Sequence, residues 1–120
     1  MTTQQDIARH LLEWDKIAQA YRSTINAHAE AENTYRQERA KFIIRAKDAD
    51  PKLSQAGAET LADADDPVMT LRLKKEAKAG EVEAYRQKLF WCRAKADSLR
   101  SEKVDERQAN RLYAENPAGA

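Results

Sequence analysis

The stretch DADPKLSQAGAETLADADDPV, residues 48–68, decides the fold, because it holds two of the three prolines and one of the three glycines of a 120-residue chain. Proline cannot continue a helix and drives the residue before it towards extended geometry, so Asp50-Pro51 predicts the end of a helix. Asp66 and Pro67 are typical of a helix start, with the aspartate as N-cap and the proline at the first helical position. The stretch therefore predicts a short connector between two helices.

Inside this connector, residues around Ser54–Ala62 predict one short helix, which we expect to present Leu53, Ala56 and Leu61 to the rest of the chain. Gly57 weakens that prediction, because glycine costs about 1 kcal/mol relative to alanine in a helix interior. The connector is also acidic, since residues 51–67 hold one basic and four acidic side chains.

On both sides of the connector the chain has the composition of long helices. Charged residues make up 34% of the chain, many of its apolar residues are alanine, and helix breakers are rare. We predict one helix over about residues 3–49, a connector over 50–66 and a second helix over about 67–113, within a single domain of residues 1–115 followed by a disordered tail at 116–120. The predicted fold class is all-α, an elongated antiparallel hairpin or coiled coil of two long helices.

Apolar residues in both predicted helices recur at alternating spacings of three and four, which is typical of a narrow coiled-coil stripe; charged residues interrupt it at Glu32 and Arg39 in the first helix and at Lys75 and Lys78 in the second. In the first helix the stripe is Ile7, Leu11, Trp14, Ala18, Tyr21, Ile25, His28, Tyr35, Phe42 and Ala46. In the second helix it is Val68, Leu71, Val82, Tyr85, Leu89, Cys92, Ala96 and Leu99. His10 falls among surface positions, and at Gly80 we expect a bend or a close helix crossing.

The segment KLFWCRAK, residues 88–95, places four large apolar residues in a row, which on a helix cover most of the circumference. Phe90 and Trp91 point away from the stripe, and leaving both in water forgoes roughly 3–6 kcal/mol of burial. We therefore predict that a second copy of the chain covers them in a homo-oligomer. The alternative is that the short central helix folds over them. The predicted protein interface comprises Tyr85, Leu89, Phe90, Trp91, Trp14 and Tyr21.

No group of residues typical of catalysis or metal binding stands out in the sequence. One cysteine, Cys92, and two histidines, His10 and His28, are too few for a zinc site or a nucleophilic triad. We predict a non-enzyme that needs no cofactor or metal. The chain start lacks the pattern of a secretory signal, and no apolar run approaches the ~20 residues that cross a bilayer, so we expect no membrane partner and a cytoplasmic protein.

Charge is polarised along the chain although the net charge is only +1, because residues 68–120 hold twelve basic and eight acidic side chains. Arginines recur every seven residues along one side of the second helix and suit a phosphate backbone, since guanidinium offers bidentate donors and an interleaved phenylalanine can stack a base. The candidate nucleic-acid-binding residues are Arg86, Arg93, Arg100, Arg107 and Arg111, helped by Arg39 and Arg45. The alternative is an ordinary solvated flank with ion pairs such as Glu83–Arg86 and Arg93–Asp97.

Two runs, AEAENTYRQERAKFIIRAK at 29–47 and EVEAYRQKLFWCRAKADSLRSEKVDER at 81–107, together with the acidic connector, resemble the small helical proteins that phages encode beside their recombination genes, the UvsY-type recombination mediators. That resemblance implies an oligomeric helical protein that binds single-stranded DNA and helps to load a recombinase. It covers most of the chain as a pattern and carries over no individual binding residue.

Two other classes of function remain open. In the first, the protein is a phage-type inhibitor or adaptor that occludes a host protein complex through Phe90, Trp91 and the acidic residues Asp63, Asp65 and Asp66. In the second, it is a structural coiled-coil component, for example of a virion or a secretion system.

Overall fold

A computed structural model describes residues 3–115, which form three helices. They are α1 (Thr3–Ala49), α2 (Gln55–Ala64) and α3 (Asp66–Glu115). The predicted fold class is confirmed: the chain is all-α, with two long helices packed antiparallel and a short helix between them in sequence. At 1.5 Å per residue, α1 and α3 are about 70 and 75 Å long. The predicted disordered tail, residues 116–120, lies outside the described residues.

Short polar contacts fix where the helices of the connector begin. The Ser54 hydroxyl accepts a hydrogen bond of 3.0 Å from the backbone N–H of Gly57 and so caps α2. Asp65 has extended backbone geometry, and its carboxylate accepts a hydrogen bond of 3.2 Å from the backbone N–H of Val68. Asp65 is therefore the cap of α3, and the predicted Asp66 was wrong by one residue, because Asp66 already has helical geometry.

The chain divides into two compact units, and in each of them α1 packs against α3. The first unit consists of α1 up to Ala20 and α3 from Tyr85 onwards. The second unit is Tyr21–Ala84 and contains α2 together with the ends of α1 and α3 that it connects. The single domain predicted from the sequence stays a prediction.

In the second unit, α2 packs through small residues. Ala58 and Ala62 are fully buried, whereas Leu61 is 49% exposed and Ala56 is exposed. The predicted inward face was therefore wrong for Leu61 and Ala56, while Leu53 is half-buried as expected. The small side chains of Ala58 and Ala62 allow α2 to pack closely against its neighbours, and this close packing leaves no space for a leucine side chain on that face.

The predicted stripe of α3 is confirmed, because all eight of its residues are buried or half-buried. The stripe of α1 is confirmed except at Leu11 and Ile25, which are 53% and 39% exposed. In the first unit, His10 takes the buried position beside Leu11 and is only 3% exposed. Its assignment to the surface was wrong.

Gly80 makes no close helix contact, contrary to the predicted crossing. A Cβ built at this position meets no heavy atom within 4 Å, and α3 continues through it. We therefore expect Gly80→Ala to raise the free energy of unfolding by about 1 kcal/mol, because alanine loses less backbone entropy in a helix. Urea unfolding followed by circular dichroism measures the change.

Gly57→Ala is the matched control for that substitution, since its Cβ would lie 3.0 Å from Leu53 Cδ1 and 3.1 Å from Ser54 Oγ. We expect no gain in stability there. A loss of stability on Gly80→Ala would contradict the open surroundings of this position.

Candidate nucleic-acid interface

Five of the six arginines of α3 form a row on the surface of the first unit. All five are exposed, and so are two apolar residues on the same side of the helix, Phe90 at 76% and Val104 at 50%. The row consists of Arg86, Arg93, Arg100, Arg107 and Arg111. The first four are seven residues apart, which corresponds to about 10.5 Å along the helix axis, and Arg111 follows Arg107 after four residues. We call this set the arginine row.

Few acidic side chains compensate the arginine row. Residues 86–111 contain eight basic and four acidic side chains. Within the row, Arg100 Nη1 lies 3.8 Å from Asp97 Oδ1, and both side chains are mostly exposed. Asp97 thus pairs with Arg100 and not with Arg93 as predicted, and within residues 3–115 Arg93 and Arg107 form no ion pair. Arg86 does interact within the chain.

An exposed pair such as Arg100–Asp97 stabilises the protein by less than about 1 kcal/mol, so it offers little resistance to a competing phosphate. The alternative prediction, in which the arginines on this side of α3 are all ion-paired, therefore holds for only some of them. Most guanidinium groups of the row are accessible to an anionic ligand.

A buried histidine, His10, lies between two tryptophans in the first unit. His10 Nε2 lies 2.7 Å from the backbone oxygen of Cys92, and because a carbonyl oxygen only accepts, Nε2 carries the hydrogen. The His10 ring centroid is 6.0 Å from that of Trp14 and 6.1 Å from that of Trp91, which it meets edge to face. His10 thus ties α1 to the middle of α3 and holds the helix that carries the arginine row.

Hydropathy could not indicate this role of His10, because at positions 10–12 it favours the two leucines for the core and the histidine for the surface. Its spacing could have indicated it: His10, Trp14 and Tyr21 are four and seven residues apart and lie on one helix face. Leu11 borders the same region and lines a shallow groove of about 100 Å³ together with Leu99 and Arg100.

Arg39 and Arg45 lie in the second unit, and their guanidinium groups are engaged there. Arg39 Nε donates a hydrogen bond of 3.1 Å to Asp63 Oδ1, which links α1 to α2. That hydrogen bond raises the pKa of Arg39 above its usual value. Arg45 Nε donates to the backbone oxygen of Lys41 at 3.3 Å. Both arginines therefore have local partners, unlike most of the arginine row.

The predicted interface residues fall into two groups. Tyr85, Leu89, Trp14 and Tyr21 are half-buried and belong to the stripes that pack α1 against α3. Phe90 and Trp91 are 76% and 54% exposed, and their cover by a second copy or by the short central helix stays a prediction. Lys95 Nζ lies 5.0 Å from the centre of the Trp91 ring and covers part of its face.

Cys92 is fully buried, and this burial raises the pKa of its thiol, with a smaller contribution in the same direction from Glu13. Because the thiolate is the reactive form, we expect iodoacetamide to alkylate Cys92 at least about tenfold more slowly in the folded protein than in urea. Mass spectrometry of samples quenched over time measures both rates. Equal rates would show that the core of the first unit opens readily.

Among residues 3–115, no group of His, Cys, Asp or Glu side chains is arranged to hold a metal ion. None of the described helices is long and apolar enough to span a membrane. The fold places the chain in the general class of antiparallel helical hairpins. Comparison with protein-family models, curated proteins and solved structures finds no match to this chain.

Proposed function

We propose that this protein is an oligomeric, non-enzymatic accessory protein that binds single-stranded DNA in the cytoplasm and assists recombination. The observation that carries the proposal is the exposed arginine row, in which most guanidinium groups have no acidic partner among the described residues. The resemblance to UvsY-type mediators supports the same class of function. No step of the proposal requires a cofactor.

The arginine row suits a single strand because it is straight. Arg86 and Arg111 are 25 residues apart in the sequence, or about 37 Å along the helix axis. At about 3.4 Å per nucleotide of stacked strand, the row follows roughly eleven nucleotides. A flexible strand can lie along such a row, whereas the phosphates of a duplex curve away from a straight helix lying on its surface.

Phe90 contributes a different contact from the arginines. Its ring lies between Arg86 and Arg93 in the row and is largely exposed, so it can stack on a base while the guanidinium groups hold phosphates. Stacking accepts every base, and phosphate contacts carry no sequence information. We therefore expect binding with little sequence preference.

Fluorescence anisotropy of a labelled single strand of about 20 nucleotides, titrated from about 25 to 200 mM salt, tests the proposal. Five phosphate contacts give a slope of about −3.5 in a plot of log K against log salt concentration. Unlabelled duplex of the same sequence should compete less well than the unlabelled single strand. No binding at the lowest salt concentration would overturn the proposed function.

A protein partner is the second candidate function, in which the chain acts as an inhibitor or adaptor that occludes a host protein complex. The observation that favours it is the set of large apolar side chains exposed on the first unit, among them Phe90, Trp91 and Leu12. Exposed apolar residues of this size are typical of protein interfaces. Absence of DNA binding together with an intact, folded surface would make this candidate the leading one.

A further inference from the structure

The last turns of α3 extend beyond the start of α1. His10 Nε2 lies 2.7 Å from the backbone oxygen of Cys92, and α1 begins seven residues before His10, at Thr3. Because the two helices are antiparallel and rise by the same 1.5 Å per residue, the start of α1 lies beside about residue 99 of α3. The part of α3 that follows therefore passes the described start of α1. We call residues 103–115 the extension of α3.

Solvent exposure changes where the extension begins. Leu99 is 8% exposed and is the last buried residue among those that the structure describes, and Lys103 is half-buried. All residues over 104–114 are exposed, and they include Leu112 at 65% and Tyr113 at 73%. Within the described residues, the extension thus lacks the tertiary packing that gives helices in proteins most of their stability.

Local interactions do little to hold the extension in helical form. Lys103, Arg107 and Arg111 follow one another at intervals of four residues, and like charges at this spacing are neighbours on one helix face and destabilise it. Within residues 3–115, neither Lys103 nor Arg107 forms an ion pair, although Glu106 lies between them in the sequence. The packed part of α3 supplies a helix nucleus, so each further residue adds helix with a free-energy change close to zero.

A bound phosphate backbone reverses the effect of these charges. Arg107 and Arg111 belong to the arginine row, and a phosphate group beside them accepts charge-assisted hydrogen bonds from guanidinium. The repulsion between the two arginines is then replaced by attraction of both to the phosphate. A ligand that binds one of two forms more tightly shifts the equilibrium towards that form. Phosphate contacts along the row therefore favour the helical form of the extension.

We propose that the extension of α3 is only partly helical in the free protein and that a single strand of DNA completes the helix as it binds Arg107 and Arg111. The inference rests on the proposed function and describes how its site is regulated. Part of the binding energy orders the extension, so affinity depends on how readily these residues form a helix. Arg86, Arg93 and Arg100 lie before the extension. The arginine row thus has a preformed part and an induced part.

One substitution at two positions tests the proposal. Ala109 lies in the extension and Ala94 lies in the packed part of α3; both are exposed, and neither belongs to the arginine row. We expect Ala109→Gly to weaken binding of a single strand of about 20 nucleotides by up to about fivefold, because glycine disfavours the helix that binding has to complete. Ala94→Gly should leave the affinity unchanged, since packing against α1 already fixes the helix there.

Urea unfolding followed by tryptophan fluorescence should rank the same two variants in the opposite order. Trp14 and Trp91 both lie in the first unit and report on its packing. Ala94→Gly should lower the urea midpoint, because it weakens a helix on which the packing depends. Ala109→Gly should leave the midpoint unchanged, because the extension adds nothing to that packing.

Hydrogen exchange followed by mass spectrometry measures the ordering directly. In the free protein, amides over residues 104–114 should exchange within about tenfold of the rate of an unfolded peptide, whereas amides over 92–99 should be strongly protected. A saturating single strand should slow exchange over 104–114 by at least about tenfold, because it completes the helix.

The outcomes that overturn the proposal differ from failure of the proposed function. Strong protection over 104–114 in the free protein, no added protection with the strand, or equal affinities of the wild type and Ala109→Gly would each reject it while DNA binding stands. A wild type that binds no strand would overturn the proposed function and, with it, the completion of the helix by DNA.

Discussion

Replacement of His10 by alanine is expected to lower the free energy of unfolding by about 3 kcal/mol. Truncation of a large buried side chain leaves a cavity, and such changes cost about 2–5 kcal/mol. The variant also loses the hydrogen bond from His10 Nε2 to the backbone oxygen of Cys92, and it separates the rings of Trp14 and Trp91 from their common neighbour. Urea unfolding followed by tryptophan fluorescence and by circular dichroism at one fixed protein concentration measures the loss.

Two further variants separate the causes of that loss. Leu12→Ala removes an apolar side chain that is 69% exposed and should cost less than about 0.5 kcal/mol. His10→Phe keeps a ring but removes the hydrogen bond together with the buried Nδ1, which has no hydrogen-bond partner among the described residues. These changes offset each other, so we expect His10→Phe to lie within about 1 kcal/mol of the wild type. If His10→Ala costs no more than Leu12→Ala, the histidine does not hold the first unit together.

Reversal of Arg100 and Arg107 to glutamate is expected to weaken single-stranded DNA binding by at least about 100-fold at low salt. The substitution removes two phosphate contacts and adds two negative charges beside the strand. The slope of log K against log salt concentration should fall from about −3.5 to about −2, since each lost contact on a single strand removes about 0.7. Both positions are at least nine residues from Phe90 and Trp91 along α3, so self-association through those two residues should not change.

The matched control reverses Arg9 and Lys16, two exposed basic residues of α1 in the first unit. They are also seven residues apart, and their reversal changes the net charge by the same amount. If affinity depended on net charge alone, both double variants would lose it equally. We expect the α1 variant to retain most of its affinity, which would assign binding to the arginine row.

The second helix shows how much of this fold the sequence predicts. Its stripe from Val68 to Leu99 was correct at every apolar position, because those residues follow a spacing of three and four that only Lys75 and Lys78 interrupt. The exposure of Phe90 followed from the same spacing, since a residue out of register with the stripe cannot share its face. The exposed positions of the arginine row followed in the same way.

The first helix shows where the same reasoning stops. Hydropathy favoured Leu11 for the core, but the structure buries His10, because Nε2 has a backbone oxygen of α3 to which it donates and two indole rings to pack against. The sequence of α1 alone contains Trp14 but neither the backbone oxygen of Cys92 nor Trp91, which α3 supplies. Arg39 similarly looked like a free cation until the structure placed Asp63 of α2 at its side chain.

The sequence by itself determined that the chain forms two long helices with a connector, because Pro51 and Pro67 act on the backbone locally and the three-four spacing fixes one face of each helix. The tertiary structure alone decided which side chains fill the narrow spaces between the helices. Ala58 and Ala62, not Leu61, face inwards in the second unit, since close packing admits only small residues there. Burial of this kind depends on the distance between elements, which no local pattern encodes.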